Sequence, residues 1–217
     1  MASTSDPTSL APGEALARLM AGNRRFLTGA NAHENRTFRP ELATEGQRPF
    51  AIVLGCSDSR TPVEILFDEG FGALFVVRIA GNVVAPSVVG SIEFAAVQFG
   101  TRLVVVLGHT RCGAIAATLR EIETGAGADS KNLRSIIGRI APHIEALVRA
   151  AGPMPDDRLL RESMRVNVRA SADHLRHGSG MLEELVLSGQ VVVVGAEYEL
   201  ETGQVHFFDG TPLAAAG

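Results

Sequence analysis

Residues 50–60 read FAIVLGCSDSR and residues 102–113 read RLVVVLGHTRCG. In each, an apolar run rich in strand formers stops at a glycine and passes straight into polar residues. The first run ends at Gly55 and opens onto Cys56, Ser57, Asp58, Ser59 and Arg60. The second ends at Gly108 and opens onto His109, Thr110, Arg111, Cys112 and Gly113. Near-continuous Val/Ile/Leu runs without polar alternation predict parallel strands covered on both faces. In open α/β sheets ligands bind beyond the carboxyl ends of the strands. If the two strands are neighbours, both polar segments emerge at one edge, and Cys56 sits beside His109 and Cys112.

Outward from these segments the same alternation continues. Residues 73–79 (ALFVVRI) and 191–194 read as two more buried strands, and 205–208 as a possible edge strand. Helical stretches at 62–69, 86–99 and 113–124 separate them, and 130–187 reads as helix with breaks near 152–155 and 177–180. Strand–helix–strand alternation predicts an α/β fold: a mainly parallel central sheet of four strands plus the edge strand, flanked by helices. Residues 15–27 place Leu16, Leu19, Met20, Phe26 and Leu27 on one helical face, an arm that packs on another element or another subunit. Residues 31–48 are polar and read as loop. The chain is read as one domain, 1–217, with arm and loop over 1–48 and the α/β core over 49–210.

Composition narrows the function. With 46% hydrophobic and 20% charged residues the chain can bury a sizeable core. A formal net charge of −4 speaks against a nucleic-acid partner, and no apolar run approaches the ~20 residues that span a bilayer. The opening residues lack the basic start and apolar centre of a secretory signal, so a cytoplasmic location is expected.

Two cysteines, Cys56 and Cys112, allow a disulfide, two core residues or two metal ligands. A reducing cytosol disfavours the disulfide, and neither cysteine lies inside a plain apolar run, where burial would be the better reading. Two thiolates and an imidazole suit zinc, and Asp58 offers a fourth possible ligand. Either segment alone is weak evidence; both together, each after a Gly-terminated strand, are strong.

The CSDSR and HTRCG segments, with FVVRIAGN (75–82) between them, resemble the signature of the β-carbonic anhydrases. The resemblance runs from about the arm to the fourth strand. It implies a zinc enzyme that interconverts carbon dioxide and bicarbonate, with Cys56, His109 and Cys112 on the metal. It implies that Asp58 either ligates the metal or pairs with Arg60, both residues acting in catalysis. Gln47 matches a glutamine contributed from the neighbouring subunit of a homodimer or higher even oligomer. Phe75, Ala80 and the Gly113 amide match substrate-pocket positions.

There are departures. Phe94 stands where many plant-like members carry a tyrosine, and Gln98 where some carry a histidine suspected of shuttling protons. Val53 replaces a tryptophan on which an inhibitory bicarbonate pocket is built in some bacterial members. Arg78, the matching arginine of that pocket, is then expected in an ion pair or on backbone carbonyls near the second strand. His33, in the polar loop, is a further candidate to approach the site. Relatives on this fold that hydrolyse carbonyl sulfide or carbon disulfide, and non-catalytic bicarbonate or zinc sensors, are the alternatives.

Overall fold

Five segments pair into one sheet, and the apolar runs account for where they lie. The computed structural model describes residues 10–30, 39–128, 130–150 and 156–211. Strands β1 (Ala51–Gly55), β2 (Leu74–Arg78), β3 (Leu103–His109) and β4 (Val192–Tyr198) run parallel. β5 (Val205–Asp209) closes one edge antiparallel to β4, giving the order β2-β1-β3-β4-β5. Every residue of β1 and β3 is buried, as expected of central parallel strands.

The helices are α1 (Pro12–Thr28), α2 (Leu42–Glu45), α3 (Val63–Leu66), α4 (Pro86–Gln98), α5 (Gly113–Thr124), α6 (Lys131–Ala150), α7 (Asp156–His177) and α8 (Gly180–Leu187). Because successive strand residues face opposite ways, the sheet feeds two cores. Val53, Leu103, Val105 and Leu107 pack with Leu16 and Leu19 of α1 and Leu66 of α3. Ile52, Leu54, Val104 and Val106 pack with Ile92, Ile115, Ile140, Met164 and Leu182 of α4 to α8.

The arm α1 packs on its own chain. Ala15, Leu16, Leu19, Gly22 and Asn23 form its buried stripe, while Met20 and Leu27, expected on the same face, are exposed. These two lie seven residues apart, on the flank of a stripe centred on Leu19 and Gly22. Asn23 fixes the docking: its amide donates to the Leu66 and Gly203 carbonyls, both at 3.1 Å, and its oxygen accepts from Val205 N–H at 2.9 Å. Arg18 and Arg25 pair with Glu69 and Asp68 beside it.

Other elements also differ from expectation. The helix expected over 62–69 is the single turn α3, because Asp68 takes a left-handed φ of 47° that no helix continues through. Part of the expected loop is helical, as α2. β3 runs on through His109, and β4 continues four residues past Val194 to Tyr198. The break at 177–180 is present, with Ser179 capping α8 through Leu182 N–H. The break at 152–155 and His33 lie outside the described residues.

A Cβ at Gly22 would lie 1.8 Å from the Phe67 carbonyl oxygen, which is backbone and cannot swing aside. Gly22→Ala should destabilise the chain by about 3 kcal/mol. Chemical denaturation of the two proteins checks this, and an unchanged midpoint would mean the arm does not dock here.

Candidate metal centre

The β1–β3 ladder aligns Gly55 with Leu107, so both polar segments leave the same sheet edge together. Cys56 follows β1, His109 ends β3, and Cys112 caps the N-terminus of α5. Their ligand atoms all lie within 4.8 Å of one another, and all three residues are buried.

The donor set is unsatisfied in a way that fits a metal. The imidazole Nδ1–H donates to the Thr110 carbonyl at 2.9 Å, which leaves Nε2 as the lone-pair nitrogen. That Nε2 is buried with no hydrogen-bond partner among the described residues. Asp58 Oδ2 is 3.9 Å from it, too far for a hydrogen bond. A buried orphan nitrogen facing two sulfurs is what a cation bound by thiolates and imidazole requires.

The two thiols titrate as a pair. Hydrogen bonding from Cys112, and then from backbone amides, pulls Cys56 down to about 4 against its burial. The same contact and burial push Cys112 up. Without metal the pair therefore favours sharing a single proton, and loading a metal releases it.

Asp58 stands apart from the cluster. Arg60 grips it as a fork, Nε to Oδ1 at 2.9 Å and Nη2 to Oδ2 at 2.7 Å, and its backbone N–H adds a third bond to Oδ1 at 2.9 Å. Of the two roles open to Asp58 in the sequence, the geometry shows the pairing with Arg60. A fourth metal ligand is not what it shows, because both oxygens are engaged. Arg60, mainly through its side-chain hydrogen bonds, holds the Asp58 carboxyl well below the usual carboxylate range.

Arg78 takes the second of its two expected roles. It donates to the Cys56 carbonyl at 2.9 Å and the Asp58 carbonyl at 2.6 Å, fixing the backbone of the segment. Val53, at the position of the missing tryptophan, is a fully buried core residue.

The remaining expected site residues divide. Ala80 opens the turn Ala80–Asn82, whose Gly81 N–H donates to Cys56 Sγ at 3.3 Å. Gly113 begins α5 beside Cys112. Gln47 lies beside Gly72 at the opposite end of the sheet, exposed. Phe75 pairs with Ile52, roughly 13 Å along the strand from Cys56 at ~3.3 Å per residue. Its ring packs, tilted, in a cluster with Phe94 and Phe99. Neither Gln47 nor Phe75 is brought to the cluster of its own chain.

Sequence reading missed a brace on the His109–Cys112 loop. Thr110 donates to Glu201 at 3.0 Å and accepts from Leu200 N–H at 3.0 Å. Arg111, at a left-handed φ of 55°, pairs with Glu201 at 2.7 Å, and its carbonyl accepts from Arg60. The acidic residues that follow β4 were the available signal.

Comparison with known proteins agrees with this geometry. A family model described as carbonic anhydrase matches residues 51–205. The chain belongs to the β-carbonic anhydrases. It is 40% identical over 195 residues to a carbonic anhydrase of Mycolicibacterium smegmatis, covering 89% of this chain and 92% of that one. It is 37% identical to carbonic anhydrase 2 of Mycobacterium tuberculosis, covering 89% and 91%. Among solved structures, tetrameric β-carbonic anhydrases from Sordaria macrospora share the fold, with a TM-score of 0.69 and 24% identity over 93% of this chain and 100% of that chain.

Because Asp58 is held below its unfolded value, the unfolded chain binds more protons at this position as pH falls. The Asp58–Arg60 contribution is therefore complete above about pH 4 and is lost below it. In the metal-free protein, Asp58→Asn should lose stability less steeply below about pH 4 than wild type. Denaturant titrations across acid pH measure this, and equal slopes would show that the pair adds no stability.

Proposed function

We propose that the chain binds one zinc ion at Cys56, His109 and Cys112 and hydrates carbon dioxide reversibly to bicarbonate and a proton. The observation that carries this reading is the buried, unpartnered His109 Nε2 facing two thiols, beside a carboxylate already taken by an arginine. Two thiolates and an imidazole suit zinc better than a hard cation. A bound zinc with one open position polarises water and stabilises negative charge developing on oxygen.

The chain's own residues direct the rest. Asp58 stays ionised beside Arg60, so it is an acceptor without a proton to give. It accepts a hydrogen bond from the attacking water and leaves that oxygen's lone pair aimed at the substrate carbon. Arg60 keeps the carboxylate from turning onto the metal. The Gly113 N–H, at the first position of α5, has no partner inside its helix and can face an anionic product. Thr110 fixes the ring plane of His109 through the Nδ1 bond.

The site also implies a second copy of the chain. β2 is a sheet edge whose outer residues are half-exposed, and beside it Phe94 and Val97 of α4 are 53% and 62% exposed. A two-fold axis between β2 edges would cover this face and bring Gln47 of one chain to the metal end of the other. The assembly is then at least a dimer, and Gln47 and Phe75 act across it. A fully active monomer in sedimentation experiments would remove Gln47 from the site.

Purified protein should hold about one zinc per chain. Cys112→Ser should lose most of it, and full retention with activity would overturn the ligand set. Arg60→Ala should keep the metal but lose most hydration activity in stopped-flow assays; normal activity would remove Asp58 and Arg60 from catalysis. Carbonyl sulfide turnover measured alongside separates the hydrolase alternative, and zinc without any turnover would favour a sensor.

A further inference from the structure

The Gly81 N–H that reaches Cys56 Sγ is held in place from a distance. An amide donating to a thiolate draws electron density from the sulfur and so changes how strongly it donates to a metal. Gly81 cannot fix its own direction. Its φ of 67° lies where glycine moves freely and other residues are strained. A Cβ there would lie 3.0 Å from both Ala114 and Ile140, so no side chain fits to hold the turn.

The hold comes from α7. Asn167 Nδ2 donates to the Gly81 carbonyl at 2.8 Å. One turn later, Ser171 Oγ donates to the Asn82 carbonyl at 3.2 Å. Residues four apart share one helical face; the buried Ser163 precedes Asn167 on it, and Val168, Ala172 and Leu175 are its core neighbours. Asn167 is 1% exposed. A buried amide is costly unless its hydrogen bonds are made, and packing alone would be met by an apolar side chain. With both carbonyls anchored, the Gly81 amide is left pointing at the sulfur.

We propose that Asn167, supported by Ser171, is a positioning residue of the metal site: by anchoring the turn Ala80–Asn82 it keeps the Gly81 N–H on Cys56 Sγ and sets the donor strength of that thiolate. Asn167 touches neither metal nor substrate. The role rests on Cys56, His109 and Cys112 being the ligands.

The test uses cobalt(II)-loaded protein and reads the thiolate-to-cobalt charge-transfer absorption, which reports sulfur donor strength without turnover. Asn167→Ala should move this band to longer wavelength. Ser171→Ala should move it the same way by less, and decides the matter if Asn167→Ala does not fold. Leu175→Ala, which removes a buried apolar side chain of α7 that makes no hydrogen bond to the turn, should lower the melting temperature and leave the band in place. Bands of Asn167→Ala and Ser171→Ala at the wild-type position, or an equal shift in Leu175→Ala, would overturn the proposal. Wild-type protein that takes up no cobalt would instead overturn the ligand reading beneath it.

Discussion

Parallel pairing of β1 with β3 sets Ile52 opposite Val104 and Gly55 opposite Leu107. A slip of one residue would turn each strand's core residues to the wrong face and carry Cys56 away from His109. The register is guarded where it matters. At Gly108 a Cβ would lie 2.5 Å from both Met164 and Val168, so α7 rests directly on the backbone just before His109. α7 is pinned there by Glu197 of β4, fully buried and paired with Arg161 at 2.6 Å and Arg165 at 2.8 Å. The two arginines share one buried carboxylate, and losing both would strand its charge at a cost. One helix thus seats the β3 end, braces β4 and anchors the turn that faces Cys56.

Around that edge, positive groups are used to hold backbone and carboxylate rather than to line an open anion pocket. Arg78 is committed to two carbonyls, Arg60 to Asp58 and the Arg111 carbonyl, and Arg111 to Glu201. The consequence for chemistry is that the charge on Asp58 is already matched. It has less to gain from a cation than a free carboxylate would, and that favours an open coordination position over a closed one.

The strands and the cluster were legible because parallel strands buried on both faces leave a strong trace, and because Gly55 and Gly108 mark where each run ends. The match between sequence and structure weakens where tertiary context overrides local pattern. β4 runs past Val194 because Glu197, which reads as the end of an apolar run, has its charge matched by two arginines 32 and 36 positions upstream. α3 ends sooner than its pattern suggests because of the left-handed Asp68, which nothing local announces. Met20 and Leu27 lie off the buried face of α1, and hydrophobicity alone does not say where a stripe is centred; polar Asn23 occupies the contact through three hydrogen bonds to backbone groups. Asn167 and Ser171 were invisible for a related reason. A buried polar residue on a helix has meaning only once its acceptor is known, and Gly81 lies 86 residues away.

Gln47 and Phe75 are the residues that a single chain leaves without an evident purpose, and they share a location. Both belong to the β2 side of the sheet, away from the metal end. Phe75 packs against Phe94 and Phe99 under a surface where α4 turns apolar side chains outward. A parallel sheet has unlike ends, so an edge-to-edge two-fold between β2 strands runs them antiparallel and sets the amino end of each beside the carboxyl end of the other. Burying the apolar face and completing the site would then be one event. Under that geometry the metal cluster can form within each chain while the substrate pocket forms between chains, so metal binding and catalytic competence would respond differently to dilution.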